Sequence, residues 1–120
     1  MYEKFPAILT SVLIIINSPE PKESVIHDFL QLCRQSTIIS LIEHLPKEKQ
    51  QELKQRIAGI TSGELGKQII LSYFSPEQYK ETLDRTSEKL FKEYIADTLS
   101  TLSQTTKQTL QTYLEQISLQ

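Results

Sequence analysis

The chain contains no tryptophan, one cysteine and three glycines in 120 residues. A lone cysteine, Cys33, cannot form an intramolecular disulfide, which removes every disulfide-stapled scaffold from consideration. A cysteine-poor chain of this kind is expected in a reducing cytoplasm. Cys33 lies among Phe29, Leu30 and Leu32, so it reads as a small buried hydrophobe and not as a reactive thiol. An excess of charge of either sign is also missing. Residues 1 to 60 carry seven basic and seven acidic side chains, residues 61 to 120 carry six and eight, and the net charge is −2. Neither half can supply the phosphate neutralisation that drives nucleic-acid binding, so no nucleic-acid partner is expected. Lys47, Lys49, Lys54 and Arg56 form a local basic set, interrupted by Glu48 and Glu52.

A long apolar run is absent as well. The most hydrophobic window, "FPAILTSVLIIIN" at residues 5 to 17, is shorter than the roughly 20 apolar residues that a membrane-spanning helix needs. It has only Lys4 before it, countered by Glu3, and Asn17-Ser18-Pro19-Glu20 after it in place of a small-residue cleavage site, so a signal peptide is not expected either. Its Ile-rich end could suit a buried strand, but nothing else in the chain offers a strand partner. A helix apolar on all sides is the better reading, placed centrally in the core or against a partner.

The residue sets that carry chemistry are equally sparse. His27 and His44 are the only histidines. Pro46 separates His44 from Glu48, and no HExxH, CxxC or acidic loop occurs, so no metal site is expected. "TSGELGKQ" holds a Gly-Lys pair but lacks the first glycine and the following Ser or Thr of a phosphate-cradling loop. No serine has an elbow of glycines or a credible His/Asp set around it. These absences lead to the expectation of a non-enzyme with no cofactor and no small-molecule ligand.

What is present is helical. Leu, Ile, Gln, Lys and Glu dominate, residues that lose little rotamer freedom in a helix. Pro6, Pro46, Pro76 and the Pro19/Pro21 pair stand at apparent element edges. The patterning predicts a helix from Pro6 to about Ile16, the linker "SPEPKES" at 18 to 24, and a long helix from Lys22 or Glu23 to His44. Val25, Ile26, Phe29, Leu32, Cys33, Ile39, Ile42 and Leu45 supply the apolar spacing of the long helix. Ser36 and Thr37 in its middle mark a bend or a close contact. A helix over Lys47 to Ile57 follows, with Leu53, Ile57 and Ile60 inward and Gly59 as a C-terminal cap. A short helix from Glu64 to Tyr73 comes next, capped by Ser62, with Leu65, Ile69 and Ile70 inward. "SPEQ" at 75 to 78 combines an N-cap, a first-turn proline and a capping box. The long helix after it carries Leu83, Leu90, Phe91, Ile95, Leu99 and Leu102. Ser103 caps the last helix, with Leu110, Leu114 and Ile117 inward. The expected fold is an all-α, compact bundle of five to six helices in one domain, with the 22–45 and 76–102 helices as its antiparallel spine.

A shift of 57 positions sets Ile38 on Ile95, Ile42 on Leu99, Leu45 on Leu102, Leu53 on Leu110, Ile57 on Leu114 and Ile60 on Ile117. Residues 1–60 and 61–120 could thus be pseudo-repeat halves, although identity outside the apolar positions is nearly absent. The two copies differ in charge. Six charged side chains lie between Lys47 and Arg56, against Lys107 alone between Ser103 and Tyr113. Interface centres are depleted in charge and enriched in aromatic anchors. Leu13, Ile16, Thr106, Thr109 and Tyr113 are therefore the candidate interface. The function these features point to is a small non-catalytic protein–protein interaction module, which a homodimer would satisfy. The alternative is a peripheral membrane protein anchored by its apolar N-terminal helix.

Overall fold

The computed structural model describes residues 2–117. A short 3-10 turn at Tyr2–Lys4 leads into α1 (Phe5–Ile15), followed by α2 (Lys22–Glu43), α3 (Lys47–Ile57), α4 (Gly63–Leu71), α5 (Pro76–Leu99) and α6 (Gln104–Gln116). The fold is all-α, and no strand occurs among the described residues.

Local chemistry sets the helix ends. Ser75 Oγ accepts from the Gln78 amide at 3.1 Å while Gln78 Oε1 accepts from the Ser75 amide at 2.9 Å, a closed capping box ahead of Pro76. Ser62 and Ser103 accept in the same way from the Leu65 and Thr106 amides. Helix α1 ends in a left-handed turn. Asn17 has φ 54°, its amide donates to the Ile14 carbonyl, and the Ser18 amide donates to the Leu13 carbonyl. That is the Schellman pairing, with asparagine standing where glycine is usual. After α3 the pairing differs: Ala58 is extended, Gly59 has φ 82°, and the Ile60 amide donates to the Ile57 carbonyl at 3.0 Å, a tight turn whose third position needs glycine. At the corner between α2 and α3, the Gln50 side-chain amide donates to the carbonyls of Leu45 (2.8 Å) and Glu43 (3.4 Å), so a glutamine ties the turn that Pro46 initiates.

The α2–α5 pair is the spine and is antiparallel, since Phe29 meets Phe91 while Cys33 meets Ser87. Small residues occupy its middle. Cys33, Thr37 and Ser87 are fully buried, and Thr37 Oγ1 donates to the Cys33 carbonyl at 2.7 Å. Of the two readings of Ser36 and Thr37, close packing is the one realised. The apolar helix α1 lies across one end of the spine, beneath α6. Phe5, Ile8, Leu9, Val12, Phe91, Ile95, Leu110 and Leu114 form the core there. Phe5, Phe29 and Phe91 meet with centroids 5.1 to 6.4 Å apart. The first turn is pinned to the spine: Arg34 Nη1 donates to Tyr2 Oη at 2.7 Å and the Tyr2 amide donates to Asp84 Oδ1 at 3.0 Å.

At the other end α3 packs on α4, with the Arg56 guanidinium 5.2 Å above the Tyr73 ring. Exchanging α1 with α4, α2 with α5 and α3 with α6 turns the α1–α6 contact into α4–α3 and leaves α2–α5 in place. The correspondence stops there, since α1 also packs on α2 while α4 makes no comparable contact with α5. Helix α1 buries five apolar side chains, whereas α4 buries none and leaves Leu65, expected inward, 45% exposed. The bundle is drawn out to 53 × 26 × 22 Å, with a radius of gyration of 17.4 Å, against about 14 Å for a sphere-like chain of this length.

Candidate interaction surfaces

The sequence-predicted interface residues do not form one surface. Leu13 is 1% exposed and belongs to the core, so it cannot contact a partner. The physical reason is that α1 and α6, the apolar and the charge-poor helix, pack against each other. Ile16 and Tyr113 are half-buried against the same core, and Thr106 is half-buried in the first turn of α6, where its hydroxyl accepts from Ser103 Oγ at 3.0 Å. Only Thr109 is exposed. Thr109 and Thr112 donate their hydroxyl hydrogens to the carbonyls of Thr105 and Gln108 on their own helix, at 3.1 and 3.0 Å. A shallow hollow of about 420 Å³ between Ile15, Thr109 and Tyr113 is the feature left on this face.

The open side of the spine offers more. Leu32 and Ile39, both expected inward, are 49% and 56% exposed. They stand two turns apart on one stripe of α2. Their neighbours Cys33, Thr37 and Leu41 on the opposite stripe are buried. Beside Ile39 runs a groove of about 680 Å³, between α2 (Ser36, Ser40), its C-cap His44, and α5 (Thr82, Arg85, Leu90). His44 closes one end. Its Nδ1 lies 2.7 Å from the Ser40 carbonyl, which marks Nδ1 as the protonated nitrogen and gives the ring a structural partner. The sequence carried a signal that part of this apolar set would stay uncovered, without saying which part. A long helix with apolar residues at 25, 26, 29, 32, 33, 39 and 42 has too wide an apolar arc for one neighbour to cover.

Two smaller apolar grooves lie at the two ends of the spine. One, about 450 Å³, is walled by Phe91, Ile95 and Leu99 of α5 and Leu114 of α6, with Lys92 and Glu115 at its edge. The other, about 440 Å³, is walled by Ile42 of α2 and Leu53 and Ile57 of α3, and its charged residues are Lys47 and Lys54.

Cys33 and Ser87 are buried in the seam between α2 and α5. Burial pushes the Cys33 thiol up from its ordinary range, only partly offset by the Ser87 hydroxyl, which would donate to a thiolate. Ser87 Oγ has no hydrogen-bond partner of its own among the described residues, because a neutral thiol is a weak acceptor. No group of three or more His, Cys, Asp and Glu side chains that could hold a metal ion occurs among the described residues. Gly66 and Lys67 fall inside α4, not in a loop ahead of a helix. No helix of the described residues is long and apolar enough to cross a membrane. Comparison with protein-family models, with curated protein sequences and with solved structures gives no match.

Proposed function

We propose that this chain is a non-catalytic helical protein–protein interaction module, acting in the cytoplasm, whose docking face is the open side of the α2–α5 pair. The observation that carries this reading is the exposure of Leu32 and Ile39 on one stripe of α2, with Ile39 lining the groove. Exposed large apolar side chains aligned beside a concave surface are the kind of patch that soluble chains keep for contact. Self-association through this face is the simplest form, because two such stripes can cover each other. The mixed charges around it, Glu43, Glu81, Arg85, Lys89 and Glu93, form a polar rim of the sort that surrounds interface cores.

Size exclusion with light scattering over a range of concentrations tests this. The expected result is a mass above that of the monomer, lost in Leu32→Lys/Ile39→Lys without loss of helical content. A wild-type chain that stays monomeric throughout, and yields no cross-linked partner that the double variant loses, would overturn it. The alternative, a peripheral membrane protein anchored through α1, draws on Ile14, which is 62% exposed. Phe5, Ile8, Leu9, Val12 and Leu13 of α1 are buried in the core, so vesicle binding that depends on Ile14 is the result needed to revive it.

A further inference from the structure

The groove between α2 and α3 differs from its counterpart at the other end in charge. The 57-residue offset carries Ile42 onto Leu99, Ile57 onto Leu114 and Lys54 onto Gln111, so the two grooves occupy corresponding places between corresponding helices. The α5–α6 groove has one charge of each sign, Lys92 and Glu115. The α2–α3 groove has two lysines and no carboxylate.

Helix α3 produces this by its periodicity. Lys47 and Lys54 are two turns apart, about 10 Å along the axis, and share the edge beside Ile57. Glu48 and Glu52 fall on the outer face, where Glu52 takes an ion pair from Lys49 at 3.4 Å. Lys47 and Lys54 have no ion-pair partner among the described residues and are exposed. Pro46, the N-cap of α3, offers no side-chain cap, so the first-turn amides add partial positive charge near Lys47. The Gln50 bonds to Leu45 and Glu43 hold the corner, and with it the groove, in a formed state. An apolar floor with an edge of positive charge alone, on a chain of net charge −2, is a selective surface.

We propose that the α2–α3 groove docks an acidic amphipathic helix of a protein partner. Its apolar side chains seat on the half-buried Ile42 and Ile57, above the buried Leu53, and two carboxylates about two turns apart meet Lys47 and Lys54. The spacing of the lysines favours a helix over a fatty acid, whose single carboxylate answers only one of them. Two lysines flanking an apolar floor likewise do not track a phosphate backbone. The proposal rests on the reading of the chain as an interaction module but uses a different face, so the two can fail separately.

The experiment uses the full chain and three probes: a labelled amphipathic peptide with leucines on one face and flanking glutamates, the same peptide with lysines for the glutamates, and laurate as a competitor. Fluorescence anisotropy is expected to show binding of the glutamate peptide alone, weakening with salt. Binding should fall about tenfold or more in Lys47→Glu/Lys54→Glu, as two exposed charge pairs would give, and stay unchanged in Leu32→Lys/Ile39→Lys. Circular dichroism on both variants confirms that the fold is kept. Equal binding of the two peptides, no binding of either, indifference to the lysine reversals, or displacement of the peptide by laurate at comparable concentration would each overturn the proposal. Loss of peptide binding in the Leu32/Ile39 variant would instead place the peptide on the spine face and overturn it in favour of that surface.

Discussion

The Phe5 ring lies 5.1 Å from the Phe91 ring, tilted by 40°, and both side chains are sealed from solvent. This contact joins the start of α1 to the middle of α5, with Phe29 of α2 completing the cluster. Truncation here removes the largest side chains of the core and leaves a cavity that the surrounding helices cannot close. Phe5→Ala and Phe91→Ala are each expected to cost about 3–5 kcal/mol, measured by urea unfolding. Leu32→Ala, half exposed, should stay within about 0.5–1 kcal/mol if the chain is monomeric under the assay. Comparable losses for all three would mean that the α1 end is not the main core.

Ser87 is buried at the spine without a hydrogen-bond partner of its own among the described residues. Its hydroxyl is desolvated with little return. Ser87→Ala should therefore be neutral or stabilising by up to about 1 kcal/mol. Cys33→Ser, which places a second hydroxyl at the same seam, should cost about 1–3 kcal/mol. A large loss in Ser87→Ala would show that the hydroxyl gains from its place beside the Cys33 sulfur even when the thiol is neutral.

Cys33, Tyr79 and Tyr94 are all raised from their ordinary ranges, chiefly by burial. Each is neutral when protonated, so the folded chain holds these protons more tightly than the unfolded chain. Their contribution to stability is complete below the ordinary thiol range and is lost as pH rises through it, because the unfolded state ionises first. Unfolding free energy should accordingly fall from about pH 8.5 upward, with the thiol part of that fall removed in Cys33→Ala relative to that variant's own value at neutral pH. The same burial predicts that a thiol reagent modifies Cys33 only at the rate of unfolding or local opening. Rapid stoichiometric labelling of the native chain would contradict the packing.

Asn17 holds a left-handed conformation at the end of α1. Asparagine adopts it at less cost than most side chains and glycine at none. Asn17→Gly should be neutral to stabilising by a few tenths of a kcal/mol, while Asn17→Val should destabilise by about 1–2 kcal/mol. Thermal unfolding of the two variants distinguishes them, and a Val variant as stable as wild type would show that the turn can rearrange.

The sequence by itself determined the helices and their ends. Ser62, Ser75 and Ser103 announce helix starts, Pro46 and Gly59 bracket α3, and the capping box at Ser75–Gln78 forms as read. These are short-range effects, settled by hydrogen bonds and steric limits within a few residues, and they leave a legible trace. The all-α class followed from the same periodicity.

Only the tertiary structure decided which apolar stripe each helix buries and against what. Leu13 looked available and is core, because α6 covers α1. Leu32 and Ile39 looked like core and are exposed, because α1 reaches only one end and one side of the spine. Leu65 is exposed because α4 packs chiefly on α3, which leaves its other side uncovered. The mixed charges of "KEKQQELKQR" give no clear face when read in order. Wound at 3.6 residues per turn, they separate Lys47 and Lys54 from Glu48 and Glu52, and only the placement of α3 beside Ile42 makes that edge a groove. Burial depends on which elements meet across long stretches of chain, and a period of 3.6 says where an apolar face lies without saying what will cover it.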